Sequence, residues 1–493
     1  MKTMKMALMA GAAIAVSAAA AHADDLSDMK AQLEALNARV ASMETAPSVP
    51  AGYQLLAVSK GEALQVPGMM DSDRDRVTNE RATIISVMPT ADAPAGTTIS
   101  WSGYVNAAVV YNGGDNQWTV KTRDVTGEFG SKFTLSSDTN DDWDVKARGQ
   151  LRVVATTDTA VGEVGVELKM RGDFAGNGVA DMYMKVAWGY WAMTPELTFG
   201  GGYAGSLGNI GYGYDGACSC YYTDNADVGF NPGDTTQLRL SYASGPFSMG
   251  IALEDSGIYG GYVGDGSSSN GNQLGVAGEI KYSGDMFSGE ISAVYRTVDG
   301  DDYTGGSVLL ADAVTAGFNS DVDGLWQVGA GLGFNLGDVA SLSLAAAIGS
   351  GPFTEVNNYS GEITTSLPVK NDWWGISGLA SANLSDAVHA EVGLGYKQRQ
   401  TDGQSWTLDG ADAASLKSSG IDYTTWAVLG GIYYTPVDQL TIGLEGEWYT
   451  ANYSTSTKAL EDIDGTDVVE GDKISLDYEE DNWSVDLVSV WRF

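Results

Sequence analysis

The sequence has few of the residues on which metal binding and acid–base catalysis usually depend. It contains only 2 histidines, His22 and His389, and only 2 cysteines. His22 falls in an amino-terminal leader, so His389 is the one candidate for a general base. No G-x-S-x-G nucleophile motif accompanies it. The sequence therefore does not predict an enzyme or a resident cofactor.

Basic residues, prolines and long apolar runs are also scarce. The 27 Lys and Arg face 64 Asp and Glu, a formal net charge of −37, which argues against nucleic acid as a partner. Only 11 prolines accompany the 64 glycines, so the chain lacks the composition of a Pro/Gly-rich disordered protein. Beyond the amino terminus, no apolar run reaches the about 18 residues that a transmembrane helix requires. If the chain lies in a membrane, it must do so as a closed β-barrel.

The amino terminus has the pattern of a secretory signal peptide. Lys2 and Lys5 precede an apolar run from Met6 to Ala21, and Ala21–Ala23 is a cleavage site of the A-x-A kind. We expect residues 1–23 to be removed during export across the inner membrane. The mature charge is then (27 − 2) − 64 = −39.

Residues 24–45 predict a coiled-coil helix in the periplasm. Apolar residues recur at alternating spacings of three and four, which is a heptad seam: Leu26, Met29, Leu33, Leu36, Val40 and Met43. Such a narrow seam favours identical partner helices, although a lone helix docked on its own barrel has the same pattern. Residues 46–97, with several prolines, are interpreted as a linker or a small periplasmic segment.

From residue 98 to residue 493 the chain alternates between apolar and small or polar residues. Val164, Val166, Leu168 and Met170 share one face of a predicted strand, and charged residues share the other. The last eleven residues, Trp483–Phe493, repeat this alternation and end in a terminal Phe. Apolar-out and polar-in alternation over many strands is typical of a transmembrane antiparallel β-barrel.

The connections between the predicted strands indicate sixteen strands. Seven connections are short and eight are long, and the two kinds alternate along the chain. Both chain ends then lie on the short-turn side, which in outer-membrane barrels faces the periplasm. Residues 129–137 are strand-like, and we place them as a hairpin arm inside the first long loop, at 112–143. The eighth long loop is expected at 450–482.

Several segments resemble the alphaproteobacterial porins of the rhizobial and brucella type, which are similar to trimeric sixteen-stranded general porins. These segments are SGYVNAAVVYNGG, RGQLRVVATTDTAVGEVGVELKM, LTFGGGYAGSLG and the closing VSVWRF. The resemblance implies a homotrimer with a water-filled pore in each protomer, narrowed by a third long loop that folds into the barrel. It also implies contact with outer-membrane lipid and lipopolysaccharide, and Phe493 as the signal read by the barrel assembly machinery.

In this chain the third long loop is Gly205–Asp234. Its acidic residues predict the negative side of a pore constriction: Asp215, Asp224, Asp227 and Asp234. Strand parity places the basic residues of the opposing wall: Lys146, Arg148, Arg152, Arg171, Arg239 and Arg296. Opposed charges across a narrow gap favour small polar solutes over apolar ones. Two alternatives remain open, namely that the loop lies on the surface and that the basic residues pair locally with lumen carboxylates.

Two further features leave their alternatives open at the sequence level. Cys218 and Cys220 are interpreted first as a local disulfide, then as free thiols, then as metal ligands. Acidic stretches in the long loops are interpreted as solvated charge, with Ca²⁺ binding as a weaker alternative whose best candidates are Asp462, Asp464 and Asp467.

The sequence therefore predicts an outer-membrane channel for passive diffusion of small hydrophilic solutes and ions, with a weak preference for cations. The alternative hypothesis is a structural outer-membrane anchor that carries a periplasmic coiled-coil tether.

Overall fold

The computed structural model describes residues 55–69, 81–88, 96–123, 129–174, 180–222, 228–255, 274–297, 324–353, 369–401, 405–408, 414–463 and 467–493. The predicted signal peptide, 1–23, and the predicted coiled coil, 24–45, lie outside these residues. The chain divides into two units, one of Met1–Val58 with Ile85–Thr98, and a larger one of Ser59–Ile84 with Ile99–Phe493. Within the smaller unit, the Met88 N–H donates to the Leu55 carbonyl (2.8 Å).

Nearly all of the described residues are in strands. The strands are β1 Leu56–Glu62, β2 Arg81–Val87, β3 Thr97–Arg123, β4 Phe129–Thr159, β5 Gly162–Phe174, β6 Ala180–Ala192, β7 Leu197–Gly205, β8 Asp234–Ser244, β9 Phe247–Asp255, β10 Leu274–Ser283, β11 Phe287–Thr297, β12 Gly324–Asn335, β13 Ala340–Phe353, β14 Val369–Ser385, β15 Val388–Thr401, β16 Ser405–Leu408, β17 Ala414–Val437, β18 Leu440–Ile463 and β19 Asp467–Arg492. The described residues include one short helix, α1, at Gly213–Ala217. In the part of the chain that the structure describes, no helix is both long and apolar enough to cross a bilayer.

Sixteen of these strands, β3–β15 and β17–β19, form a closed antiparallel barrel. Consecutive strands pair with one another, and β15 pairs with β17 while the short β16 pairs with β17 beside it. The barrel closes where β19 pairs with β3, with Leu487 opposite Val109 and Trp483 opposite Gly113. The predicted all-β barrel of sixteen strands is confirmed.

Alternate residues of the barrel strands face opposite sides, as the sequence pattern predicts. Val166 on β5 and Leu444 on β18 are 46% and 50% exposed on the outer surface. On β19, Val485 and Leu487 are exposed, whereas Asp486 between them is fully buried on the inner side. The barrel is apolar outside and polar inside, which is the inverse of a soluble protein.

Aromatic side chains form a band near each end of the outer surface. At the short-turn end, Phe247, Tyr282, Phe287 and Phe334 contact one another in sequence across β9–β12, with ring centroids 5.1, 6.0 and 5.4 Å apart. Toward the long-loop end, Trp374, Tyr396 and Trp426 do the same across β14–β17. Such girdles mark the two interfaces of a bilayer around a membrane barrel.

Five strands extend well beyond the length that a bilayer requires. β3, β4, β17, β18 and β19 contain 24 to 31 residues, against about 9–11 for one tilted crossing. The regions 112–143 and 450–482, which we expected to be loops, are therefore mostly strand, and residues 129–137 are the first part of β4. A hairpin that leaves the membrane has water on both faces, so its strands do not show the apolar alternation by which the others were recognised.

Candidate functional site

The segment Gly205–Asp234, which joins β7 to β8, lies inside the barrel, and we call it the inner loop. Among its described residues, Leu207, Tyr214, Cys220 and Val228 are fully buried against the inner wall. Their contacts reach strands far from the loop's own ends. The surface-loop alternative is therefore not what the structure shows.

Carboxylates of the wall bind the first part of the inner loop. Glu254 on β9 accepts hydrogen bonds from the Ser206 hydroxyl (3.0 Å) and the Leu207 N–H (3.2 Å). Glu290 on β11 accepts from the Gly211 N–H (2.8 Å). The loop backbone has no sheet or long helix to satisfy its N–H groups, and a buried N–H without a partner is costly. The wall carboxylates supply those partners.

The same arrangement continues to the far end of the loop. Glu391 on β15 accepts from the Ser219 N–H (3.0 Å), and Glu445 on β18 accepts from the N–H groups of Tyr221 (3.0 Å) and Tyr222 (3.2 Å). Glu254, Glu290, Glu391 and Glu445 thus form four attachment points spread over more than half of the barrel wall.

Donors of the wall bind the carbonyls of the returning chain. Gln327 on β12 donates to the Phe230 carbonyl (3.1 Å), Arg296 on β11 to that of Pro232 (3.1 Å), and Lys397 on β15 to that of Gly229 (3.0 Å). The inner loop is therefore bound to the wall both through its backbone N–H groups and through its backbone carbonyls.

The short helix α1 lies at the middle of the inner loop. Gly213 begins it with φ of +78°, a conformation that residues with a Cβ rarely adopt. The Tyr214 hydroxyl donates to Glu447 on β18, and its ring packs with Leu379 and Leu429 of the wall. Helix α1 therefore carries the apolar contact by which the loop adheres to β14–β18.

Cys218 and Cys220 follow helix α1 and are bonded to each other. Both are buried in the same apolar cluster as Tyr214 and Val228. Of the three interpretations that the sequence leaves open, the structure has the local disulfide between these two cysteines.

The tip of the inner loop reaches the strands at which the barrel closes. The Tyr222 hydroxyl donates to Asn106 on β3 (2.7 Å), and the Arg148 guanidinium lies 5.8 Å from the Tyr222 ring centroid. Arg492 donates to the Tyr221 hydroxyl oxygen (3.2 Å). Burial raises the pKa of Tyr221 to about 12 although Arg492 opposes the shift, so this phenol is neutral at physiological pH. The tip is thus held by neutral hydroxyls and by cations of the wall.

For three of the four acidic residues predicted for the constriction, the structure does not describe the side chain. Asp224, Asp227 and the side chain of Asp215 lie outside what the structure describes. Asp234 is described and forms an ion pair with Lys185 on β6.

The three calcium candidates also lie outside the described side chains. Asp462 on β18 and Asp467 on β19 are described only by their backbone, and Asp464 lies outside the described residues. Within the described residues, no group of three His, Cys, Asp or Glu is arranged to hold a metal. Calcium binding therefore stays a prediction.

The six predicted basic residues lie on the inner wall, and three of them form ion pairs there. Arg152 pairs with Glu167 (2.7 Å) with both side chains almost fully buried, Arg296 pairs with Glu254 (2.7 Å), and Arg148 pairs with Asp173. The structure therefore shows the local pairing that the sequence left as an alternative.

The remaining three basic residues have other surroundings. Arg171 donates to Gln150 (2.8 Å), and Arg239 donates to Gln237 and to the Gly205 carbonyl (2.8 Å). Lys146 on β4 is half-buried and interacts electrostatically with Asp486 on β19. All six predicted basic residues therefore lie on the lumen side of their strands.

A second segment, residues 63–69, also lies against the inner wall, and we call it the inner strap. Arg152 donates to the Leu64 carbonyl (2.9 Å) and Arg239 to the Gly68 carbonyl (2.6 Å). Val66 is buried in an apolar cluster with wall residues that include Trp188. The composition of residues 46–97 contained no signal for this contact, because it depends on arginines that are distant in the chain.

No protein-family model and no curated protein matches the chain. Among solved structures, it is similar to OmpT, an outer membrane protein of Vibrio cholerae, with a TM-score of 0.47 and 11% identity over 80% of this chain and 98% of that one. It is also similar to OmpF of Salmonella typhi (TM-score 0.45, 12% identity, 80% and 98% covered) and to the outer membrane channel DcaP of Acinetobacter baumannii (0.42, 14%, 82% and 99%).

His389, the candidate base, lies near the short turn between β14 and β15. Its Nδ1 is 3.1 Å from Oδ1 of Asn383, and its Nε2 is 3.5 Å from a carboxylate oxygen of Glu391. Glu391 in turn binds the inner loop at Ser219. His389 therefore contacts a carboxylate that holds the inner loop to the wall.

Proposed function

We propose that the protein is a porin-like channel of the bacterial outer membrane, through which small hydrophilic solutes and ions diffuse passively. The observation that carries this proposal is the inner loop, Gly205–Asp234, attached by its backbone to the inside of a closed barrel with a polar lumen. An inward loop leaves a water-filled passage narrower than the barrel itself. Selection by size and polarity is the function that such a passage performs.

The proposed channel prefers cations weakly. Toward the long-loop end of the lumen, Asp144 on β4 and Glu480 on β19 are half-buried and have the same inward parity as Arg148 and Asp486. The excess of acidic over basic residues in the whole chain acts in the same direction. Negative charge at a pore mouth raises the local concentration of cations.

The proposed assembly is a homotrimer in contact with outer-membrane lipid and lipopolysaccharide, inserted by the barrel assembly machinery. Phe493 supports the last point, because its ring is exposed beside Gly103 at the end of β19. A Cβ on Gly103 would lie 2.7 Å from that ring, so glycine leaves the space it occupies. The trimer itself is supported by the resemblance of the sequence segments described above.

Recording from purified protein in planar bilayers under a KCl gradient tests the proposal. We expect stepwise conductance in groups of three and a reversal potential that indicates a mild preference for K⁺ over Cl⁻. A reversal potential of the opposite sign would contradict the cation preference, and the absence of any conductance would contradict the channel. The alternative of an anchor with a coiled-coil tether depends on residues 24–45, which lie outside the described part of the chain.

A further inference from the structure

A cavity of about 490 Å³ lies in the lumen toward the short-turn end. The inner strap bounds it through Gln65, Val66 and Met69, the inner loop through Tyr212, and the wall through β10–β14. Its volume is within the range of about 300–1,000 Å³ found for sites that bind small molecules. The cavity is thus large enough to hold a solute and is bordered by three separate parts of the chain.

Tyr212 of the inner loop forms an aromatic platform in this cavity. A Cβ on Gly331 would lie 2.3 Å from the Tyr212 ring, and one on Gly333 would lie 2.9 Å from it. The two glycines of β12 therefore let the ring lie against the strand. The ring also lines the cavity and is only half-buried. An aromatic face offers a ligand a broad apolar contact of low conformational cost.

The charged groups of the cavity bind one another, with one lysine between two carboxylates. Nζ of Lys281 lies 2.9 Å from the carboxylate of Glu279 and 3.7 Å from that of Glu290. Glu290 also accepts the Gly211 N–H (2.8 Å). The excess negative charge disfavours an anion, and a cation would have to displace Lys281 from both carboxylates, so the arrangement favours a neutral ligand.

Hydroxyl and amide groups line the rest of the cavity. They come from the wall strands and the strap: Ser283, Ser288, Asn335, Ser341, Ser381 and Gln65. Each of these groups can both donate and accept hydrogen bonds. A ligand with many hydroxyl groups matches such a lining, because each of its hydroxyls also donates and accepts.

We propose that this cavity is a binding site for a neutral polyhydroxylated solute of one or two sugar rings on its way through the channel. A pyranose ring has an apolar C–H face, which matches Tyr212, and a rim of hydroxyls, which matches the serines and amides. The proposal rests on the proposed channel function, for which it names a class of solute.

The test is the block of single-channel current by sugars, combined with titration calorimetry on the detergent-solubilised barrel. Glucose and sucrose are added to the short-turn side, with glycerol as the small polyol that lacks a ring. We expect the two sugars to reduce the current at concentrations at which glycerol does not. Tyr212→Ser should raise the half-blocking concentration at least ten-fold, whereas Tyr212→Phe, which retains the ring, should stay within two-fold of wild type.

Two further variants keep the test independent of folding defects in the loop. Ser381→Phe fills the cavity from β14 and should abolish both sugar block and sugar binding while ion conductance persists. Asp422→Asn, on the outer face of β17, should leave sugar block unchanged. Open channels without sugar block, or equal block in wild type and Tyr212→Ser, would overturn the binding site alone. Calorimetric sugar binding without any conductance would overturn the channel and leave the site.

Discussion

Glu254 illustrates how a buried acid acts at the scale of one residue. Its carboxylate accepts from Arg296 (2.7 Å), the Ser206 hydroxyl and the Leu207 N–H, so one side chain joins wall and inner loop. Breaking a buried ion pair by removal of one charge costs about 3–5 kcal/mol, because the other charge keeps its desolvation penalty. The acidic residues of the inner wall thus have a structural role in addition to their charge.

Glu254→Gln should therefore lower the free energy of unfolding by about 3 kcal/mol, since it removes the negative charge that faces Arg296. Urea unfolding of the protein in detergent micelles measures this loss. The matched control is Glu196→Gln in the exposed turn before β7, for which we expect no measurable change. Equal stability of the two variants would show that Glu254 is not an attachment point.

Residue orientation on β13 gives a second prediction. Leu344 is 39% exposed on the outer surface, whereas Ser341, three residues away, faces the lumen. Leu344→Arg places a charge in lipid and should destabilise the folded barrel by about 2–4 kcal/mol, while Ser341→Arg remains in water and should cost far less. Heat-induced unfolding followed by electrophoretic mobility compares them. A larger loss for Ser341→Arg would contradict the assigned faces.

At the scale of elements, the barrel strands and the limits of the inner loop were predictable, because lipid on one face imposes an alternation that is visible in the sequence. The loop was expected at Gly205–Asp234, and the structure ends β7 at Gly205 and begins β8 at Asp234. The contacts inside the barrel were not predictable. Glu445 binds Tyr221 across 224 residues, and no local pattern encodes that meeting.

The inner strap is the element that sequence reasoning missed. Its backbone carbonyls at Leu64 and Gly68 bind Arg152 and Arg239, and carbonyls exist at every residue, so they leave no trace in the sequence. The arginines were recognised as lumen residues, but their partners were expected among carboxylates. Only the folded structure shows that part of the region 46–97 occupies the lumen.

Replacing residues 63–69 by a Gly–Ser sequence of equal length should release the strap and raise single-channel conductance, because a volume now filled by Val66 and its neighbours becomes water. Gln65→Ser is the control, since it alters the cavity lining but retains the backbone contacts of Leu64 and Gly68. Bilayer recordings compare the two with wild type. Unchanged conductance in the Gly–Ser variant would mean that the strap does not narrow the passage.

In the whole molecule, the barrel wall, the inner loop and the inner strap together define the passage. The barrel presents an apolar outer face and aromatic girdles suited to lipid, and its polar interior is partly filled by the inner loop and the inner strap. Half-buried acidic residues lie at the long-loop mouth of the lumen, at Asp144 and Glu480, whereas the arginines deeper in the lumen are largely paired. Selectivity should therefore arise at the mouth.

Asp144→Asn combined with Glu480→Gln should reduce the preference for K⁺ over Cl⁻ and leave the conductance in symmetrical salt nearly unchanged. The reversal potential under a KCl gradient measures this preference. The preference should weaken at high salt, because salt screens charges that are in contact with solvent. Glu163→Gln, deeper in the lumen, is the control. A larger shift for the control than for the mouth variant would place the selectivity elsewhere.

The most direct measurement is the single-channel conductance of wild type against a variant in which residues 211–229 of the inner loop are replaced by a short Gly–Ser linker. A water-filled barrel that is narrowed by this loop should conduct in both forms, and several-fold more in the variant. Conductance that is absent from both forms, or identical in the two, would contradict the account.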